Sequence, residues 1–305
     1  MTDLMIVFDR ALVRRRRDRA AGRLTAHDFL FLDAADRLVD RLEDIGRTFD
    51  RALDLGCHGG EIGRALDASD KVGWLAQSDL SPAMVARSAA TARRTRLTLD
   101  EERLPFSANA FDLVISGLSL HWVNDLPGAL LQIHRTLAPD GLFLATVFGG
   151  ETLGELRATL TDAELAVSGG VSPRISPFVD VRDAGMLLQR AGFSLPVVDA
   201  ETITVTYADP LALLRDVGGM GEANALVSRN KTPLRRSVLT RMLELYAERH
   251  TTADGRITAS FQFVTLTGWK PHASQQKPLR PGSAAQRLAD MLETEEKPAG
   301  ETTPR

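Results

Sequence analysis

Arg51-Ala52-Leu53-Asp54-Leu55-Gly56-Cys57-His58-Gly59-Gly60 is a short apolar run that breaks into a glycine-rich turn, and Glu61 to Ala68 follows with helical spacing. Glycines at such a junction let the backbone turn sharply and approach a ligand closely. The start of the following helix presents free N–H groups, which suit an anion or the polar tail of a nucleotide. Taken alone, the loop is equally well a tight strand–helix turn. Two later segments tilt the balance. Gln77-Ser78-Asp79-Leu80-Ser81-Pro82-Ala83-Met84 sets an acid at the end of a second apolar run, where it can accept hydrogen bonds from both hydroxyls of a ribose. Asp100-Glu101-Glu102-Arg103-Leu104-Pro105-Phe106 sets carboxylates after a third, where an adenine amino group would lie.

Outward from this loop, strands and helices alternate. The spacing predicts strands at Arg51 to Leu55, Lys71 to Ser78, Leu97 to Leu99, Phe111 to Ser116 and Leu142 to Phe148. Between them fall helices at Glu61 to Ala68 and Pro82 to Arg94, the second with Ser81 as N-cap and Pro82 at its first position. Leu130, Ile133 and Leu137 mark one face of a further helix. Such alternation implies an α/β fold with a mainly parallel sheet covered on both faces. Beyond Gly149-Gly150, helices are predicted at Thr152 to Val167, Asp183 to Ala191, 209–217 and 233–250, and strands at Val197 to Tyr207 and Arg256 to Lys270. Residues 1–47 read as a helical segment lying over the next domain, 48–150 as a nucleotide-binding domain, and 151–271 as the rest of the sheet with a helical substrate-side insertion. The polar tail 272–305 reads as mostly disordered, with one transient helix beyond about Leu288.

With 305 residues and 44% hydrophobic side chains, the chain can fill a core of ordinary size. A net charge of −3 provides no global field to recruit nucleic acid. Arg14-Arg15-Arg16-Arg17 could meet an acidic partner or a membrane surface, but the expected state of such a run is a solvated helix face. The single cysteine, Cys57, excludes an internal disulfide framework. No stretch approaches the roughly 18 apolar residues of a membrane span, and no apolar region follows the early arginines as in a signal peptide. The expected location is the cytoplasm.

Leu53 to Gly60, Asp79 to Met84, Leu104-Pro105-Phe106 and Phe111-Asp112-Leu113-Val114 together closely resemble class I S-adenosylmethionine-dependent methyltransferases. The resemblance implies a Rossmann-like fold with a mainly parallel seven-stranded sheet, N-terminal helices and a helical cap, and S-adenosyl-L-methionine as cofactor. It implies that Asp54, Gly56, Cys57, His58 and Gly60 shape the methionine pocket, that Asp79 with Leu80 binds the ribose, that Asp100 and Glu101 border the adenine, and that Ser116 and Leu118 line the site. The family pattern has glycine at position 58. A histidine there must point away from the ligand or narrow the pocket.

A narrower resemblance covers most of residues 5–283. It rests on Phe8-Asp9-Arg10, Leu118 to Asp125, Ile133 to Leu137, Phe148 to Arg157, Pro173 to Phe178, Gly219 to Asn224 and Gly268 to Gln275. These segments are similar to the methyltransferase-like assembly factors of respiratory complex I, the arginine-hydroxylase family, with the malonyl-carrier-protein methyltransferases of biotin synthesis as cousins. The resemblance implies a protein client, the iron–sulfur subunit of complex I, membrane association only through that client, and hydroxylation of one of its arginines. A methyltransferase acting on a small molecule or acyl carrier, and a non-catalytic cofactor-binding chaperone, stay open beside it.

His121 follows the fourth strand, where such folds hold substrate, and is the candidate base. Trp122 could wall the pocket, and Glu151 and Arg174 could contact a substrate; a structural histidine, a core tryptophan and solvated loop residues are the alternatives. No histidine begins a His-x-Asp/Glu pair of the kind that seeds a two-histidine-one-carboxylate iron site, and no metal ligand set is expected. Hydroxylation therefore rests on the resemblance and not on any ligand spacing in the chain.

Overall fold

Leu53 is fully buried on both sides of the strand β1 (Phe49–Leu55), pairing with Ala76 on one neighbour and Val114 on the other. The computed structural model describes residues 6–276, so the tail beyond Leu288 lies outside the described residues. Around β1 lie β2 (Val72–Asp79), β3 (Arg94–Thr98), β4 (Phe111–Gly117), β5 (Leu137–Phe148), β6 (Ser194–Tyr207) and β7 (Ile257–Trp269). They form one seven-stranded sheet in the order β3-β2-β1-β4-β5-β7-β6. The five strands from β3 to β5 are parallel, and β7 runs antiparallel to both β5 and β6. The order reverses between β1 and β4, and open α/β sheets bind ligands at the carboxyl ends of their strands at that point.

Period-two alternation divides the strand side chains between two layers. Ala52, Leu113, Ile115, Leu142 and Leu144 face Ala35, Leu38 and Leu42 of α2 (Phe29–Glu43) and Ile62 of α3 (Glu61–Ala65). Leu53, Val114, Phe143 and Ala145 face Leu130 and Ile133 of α5 (Leu126–Thr136) and Leu188 of α7 (Val181–Arg190). A third apolar cluster joins α6 (Gly154–Ser168), α8 (Pro210–Met220) and α9 (Arg236–His250) to Phe261 and Phe263 of β7. Ala20 and Ala21 at the end of α1 (Arg10–Ala21) belong to it.

Three expectations are corrected. The helix predicted from Pro82 to Arg94 is only α4 (Pro82–Val85), capped by Ser81 as foreseen. The Ser88 hydroxyl donates to the Val85 carbonyl at 2.8 Å, and β3 begins at Arg94, where it pairs with Leu75 of β2. Residues 86–94 offer no apolar stripe to hold a helix; 86–93 run as turns and bends, and only Arg94 joins the sheet edge. Leu137, read as a helix face, instead opens β5 and pairs with Phe111. The basic run is not uniformly a solvated face. Arg14 and Arg15 are exposed, but Arg16 donates to the carbonyls of Ala223 and Asn224, and Arg17 is fully buried. Arg17 falls in the stripe Val13, Arg17, Ala20, Ala21 that α1 turns inward.

Leu53→Ala is expected to lower the unfolding free energy by about 2–5 kcal/mol in urea denaturation, through lost burial plus a residual cavity. Leu131→Ala, on the exposed side of α5, should change it by no more than about 0.5 kcal/mol.

Candidate functional site

The glycine loop closes on itself through backbone bonds. Gly56 N and Cys57 N both donate to Ser78 O, at 2.8 and 2.7 Å, and Gly60 N donates to Cys57 O at 2.7 Å. Gly56 has φ +81°, and a Cβ there would lie 2.1 Å from the Ser119 side chain, so position 56 admits only glycine. Gly60, at φ +86°, is the N-cap of α3.

Asp54 ends in this loop with its carboxylate fully buried, and neither oxygen has a hydrogen-bond partner among the described residues. Burial, with Glu61 and Asp79 nearby, pushes its carboxyl well above the usual range. Both polar atoms of the buried Gln77 amide and Glu61 Oε2 are likewise unpartnered. Buried polar groups are normally paired, so this row of unpaired donors and acceptors beside a glycine loop fits a polar ligand such as the cofactor's amino-acid end.

Asp79 ends β2. Its Oδ1 accepts from Ser81 N at 2.8 Å, and its Oδ2 from His58 N at 3.2 Å and from Arg17 Nη1 at 3.1 Å. Glu101, also fully buried, accepts from Ser119 Oγ at 2.8 Å and from Arg17 Nη1 at 3.4 Å, and it pairs with Arg10. Burial alone would raise the Glu101 carboxyl, but the Arg10 and Arg17 guanidiniums hold it down to about 2. Arg10 also reaches Asp100 at 2.7 Å. Leu80 packs against the cluster of Phe8, Val13 and Trp122.

His58 points away from this polar row. Its Nε2 lies 3.1 Å from the carbonyls of Gly117 and Leu118, so the neutral tautomer carries its proton there. Its ring stacks on Phe31 at 4.0 Å. Burial and then Arg17 lower its pKa, which keeps it neutral. At φ +45° it holds a left-handed backbone that glycine would hold without strain, and these contacts offset the cost. Cys57 is buried, and burial pushes its thiol well up, so it is no nucleophile here. The Ser116 hydroxyl is turned to the Leu55 carbonyl at 2.6 Å, tying β4 to β1. Leu118 is buried at φ +50°, and its backbone N donates to Thr146 O.

A second cluster stands on the turn after β4. Glu222 Oε2 lies 2.9 Å from His121 Nε2 and accepts from Trp122 Nε1 at 2.7 Å. The His121 ring lies 5.0 Å from that of Phe148 and 5.8 Å from that of Phe178. Burial alone would raise the Glu222 carboxyl, but His121 holds it below the usual range. Glu222 Oε1 and His121 Nδ1 are buried without partners. Glu151 and Arg174 take other places: Glu151 is exposed and accepts from Thr202, and Arg174 forks onto Glu164 at 2.6 and 2.8 Å. Arg10, Arg17, Gln77, Ser119 and Glu222 are site residues that motif reading passed over. For Arg10 and Arg17 a signal existed, since seven residues on a helix return to the same face.

A methyltransferase-domain family model matches residues 53–145. Over 290 residues, 94% of this chain and 90% of the relative, the chain is 43% identical to "Arginine-hydroxylase NDUFAF5, mitochondrial" of Danio rerio. It is 32% identical to the malonyl-[acyl-carrier protein] O-methyltransferase of a Methylovorus strain, over 90% of this chain and 93% of that one. The crystal structure of the YcgJ protein of Bacillus subtilis superposes with a TM-score of 0.55 at 15% identity, covering 77% of this chain and 98% of the other, a likeness of fold alone. The cytoplasmic expectation is overturned by these relatives: the arginine-hydroxylases at 43–44% identity from fish, mouse and human are named as mitochondrial.

Asp54→Asn should raise the melting temperature at pH 7, because it replaces a buried, unpaired acid with a neutral amide. The native Asp54 carboxyl is raised, so its ionisation penalises the folded state only above the ordinary carboxylate value. The gain should therefore shrink toward zero as the pH falls through about 4, and a gain unchanged at pH 3.5 would contradict this account.

Proposed function

The chain belongs to the family of arginine-hydroxylase NDUFAF5, within the class I methyltransferase superfamily, and from that membership we propose that it hydroxylates an arginine of a protein client. The observation that carries this reading is 43% identity across 94% of the chain, well beyond the cofactor loop. The client is the iron–sulfur subunit of respiratory complex I, the family's substrate by the resemblance in the N-terminal, central and C-terminal motifs. Membrane contact comes through that client, for no described helix is long and apolar enough to cross a bilayer.

S-adenosyl-L-methionine is the cofactor, and when bound it would supply an electrophilic sulfonium; the hydroxyl oxygen would come from molecular oxygen, with an external two-electron reductant taking the second oxygen to water. Asp54, Gly56 and Gly60 would hold its amino-acid end, Asp79 its ribose, and Asp100 with Glu101 its adenine side. His58 and Cys57 contribute backbone to the loop. His121, Trp122, Phe148, Phe178 and Glu222 form the substrate side. The bare Glu222 Oε1 is an acceptor for a guanidinium N–H, and the Phe148 and Phe178 rings beside His121 suit a cation. His121 Nε2 donates to Glu222 and leaves the Nδ1 lone pair free to accept a proton from the substrate. The aromatic walls exclude water, which strengthens each of these contacts.

Methylation of an acyl carrier is the second reading, favoured by 32% identity over a similar span to the malonyl-carrier enzyme. Mass spectrometry of the client separates them. In cells lacking the chain, the iron–sulfur subunit should lose one oxygen from a single arginine. Loss of a methylene from that subunit would mark a protein methyltransferase, an unchanged mass with failed assembly would mark a chaperone, and an unchanged mass with normal assembly would favour the acyl-carrier reading. Glu222→Gln keeps the shape but removes the charge, and should lower modification by roughly 10- to 100-fold, the worth of one charge-assisted hydrogen bond.

A further inference from the structure

Arg17 reaches the carboxyl ends of β2 and β3 from α1, and its side chain has no exposure there. Nη1 contacts Asp79 Oδ2 and Glu101 Oε1, and Nη2 donates to Ser119 Oγ at 3.0 Å. Arg10, two turns earlier on the same helix, bridges Asp100 and Glu101. A guanidinium is taken out of water this completely only when carboxylates repay it. Yet the fit is incomplete. Arg17 Nε has no partner among the described residues.

Counting lone pairs sharpens this. Each carboxylate oxygen accepts about two hydrogen bonds. Asp79 Oδ2 already takes His58 N and Arg17 Nη1, and Oδ1 takes Ser81 N. A ribose diol needs two further acceptances from this one side chain, and only one remains. Backbone donors at His58 and Ser81 are fixed by the fold, so Arg17 is the contact that can yield. Glu101 would keep the Arg10 guanidinium when Arg17 leaves, so it stays paired.

We infer that Asp79, Glu101 and Ser119 form an exchangeable guanidinium site, filled in cis by Arg17 and vacated when the cofactor enters. The inference rests on the cofactor reading above. A groove of about 490 Å³ lined by Arg10, Arg14, Arg15, Asp18, Leu80 and Asp100 lies along α1, and it is open space on the same helix that the displaced side chain would turn toward. α1 need not unfold, because Val13, Ala20 and Ala21 anchor it and the Asp9 side chain caps it at Leu12 N.

The test uses the full chain, a titration with S-adenosyl-L-methionine followed by calorimetry, and an arginine-directed reagent, phenylglyoxal, read by peptide mass. Without cofactor, Arg17 should stay unmodified while exposed Arg14 reacts; with cofactor, Arg17 modification should rise in proportion to occupancy. Ready modification of Arg17 in the free chain would overturn the cage. If calorimetry reports binding and Arg17 stays protected, it is a permanent counter-ion: the exchange fails and the cofactor reading stands. A folded Arg17→Met chain should bind the cofactor at least tenfold tighter than the unaltered chain, and equal or weaker affinity would overturn the competition. Heat for Arg17→Met alone supports the exchange, and no heat for either chain removes both the exchange and the cofactor reading.

Discussion

Three carboxylates, Asp54, Asp79 and Glu101, are buried without exposure at one end of a parallel sheet, and the cost of that burial organises this end of the molecule. Charges in such a place must be paired, hydrogen-bonded or neutralised. Each acid meets the requirement differently. Glu101 draws two guanidiniums and a hydroxyl, and stays ionised far into acid. Asp79 takes two backbone N–H groups and Arg17. Asp54 has the Gln77 amide beside it but no hydrogen bond of good geometry among the described residues, and burial drives it toward its protonated form. The position of α1 fits this. Its sequence is strongly basic; Val13, Ala20 and Ala21 set the face that turns inward, and Arg17 falls on that face. The acids at the strand ends meet it there.

The sheet and its glycine loop were legible in the sequence because both are local. Alternating apolar runs, Ser81-Pro82 at a helix start and Gly56 with Gly60 at a turn each carry their structure in neighbouring residues. What failed to show was set by distant partners. Residues 86–94 carry helix-compatible alanines and arginines, but they lack an apolar stripe, and the chain turns until Arg94 pairs with Leu75 across the sheet edge. The ion pairs of Arg17 span 62 and 84 residues, so its seven-residue spacing from Arg10 marks a shared helix face but not the acids that face meets. Glu222 lies 100 residues from Trp122, so only the fold reveals that they share an oxygen. Glu151 and Arg174 show the converse: charged residues in segments close to the strand ends can still spend themselves on Thr202 and Glu164.

His58 shows how a departure from a family pattern is absorbed. Glycine in that loop needs no compensation for φ +45°, whereas histidine does. Here the side chain turns to the Phe31 ring and to two carbonyls at the end of β4, and leaves its backbone N on Asp79. The loop keeps the one contact that a ligand site needs from position 58, the N–H on the acid. The side chain is recruited instead to fasten α2 to the strand end. A loop that binds through its backbone can vary its side chains provided they find burial elsewhere.

The two polar clusters differ in what they leave unpaired, and that difference assigns their roles. Around Asp54 and Gln77 the bare atoms include a whole carboxylate and a whole amide, which suits a ligand with several donors and acceptors. At Glu222 and His121 the second carboxylate oxygen and one histidine nitrogen have no partner among the described residues, and the Phe148 and Phe178 rings lie beside His121, which suits a single flat cation. Arg17 stands between these chemistries. It is held by the first cluster's acids, and Glu222 contributes to the field that keeps it charged. An arginine already bound within the chain, beside a carboxylate with an oxygen to spare, makes a guanidinium the ligand chemistry this end of the fold is most plainly built to handle.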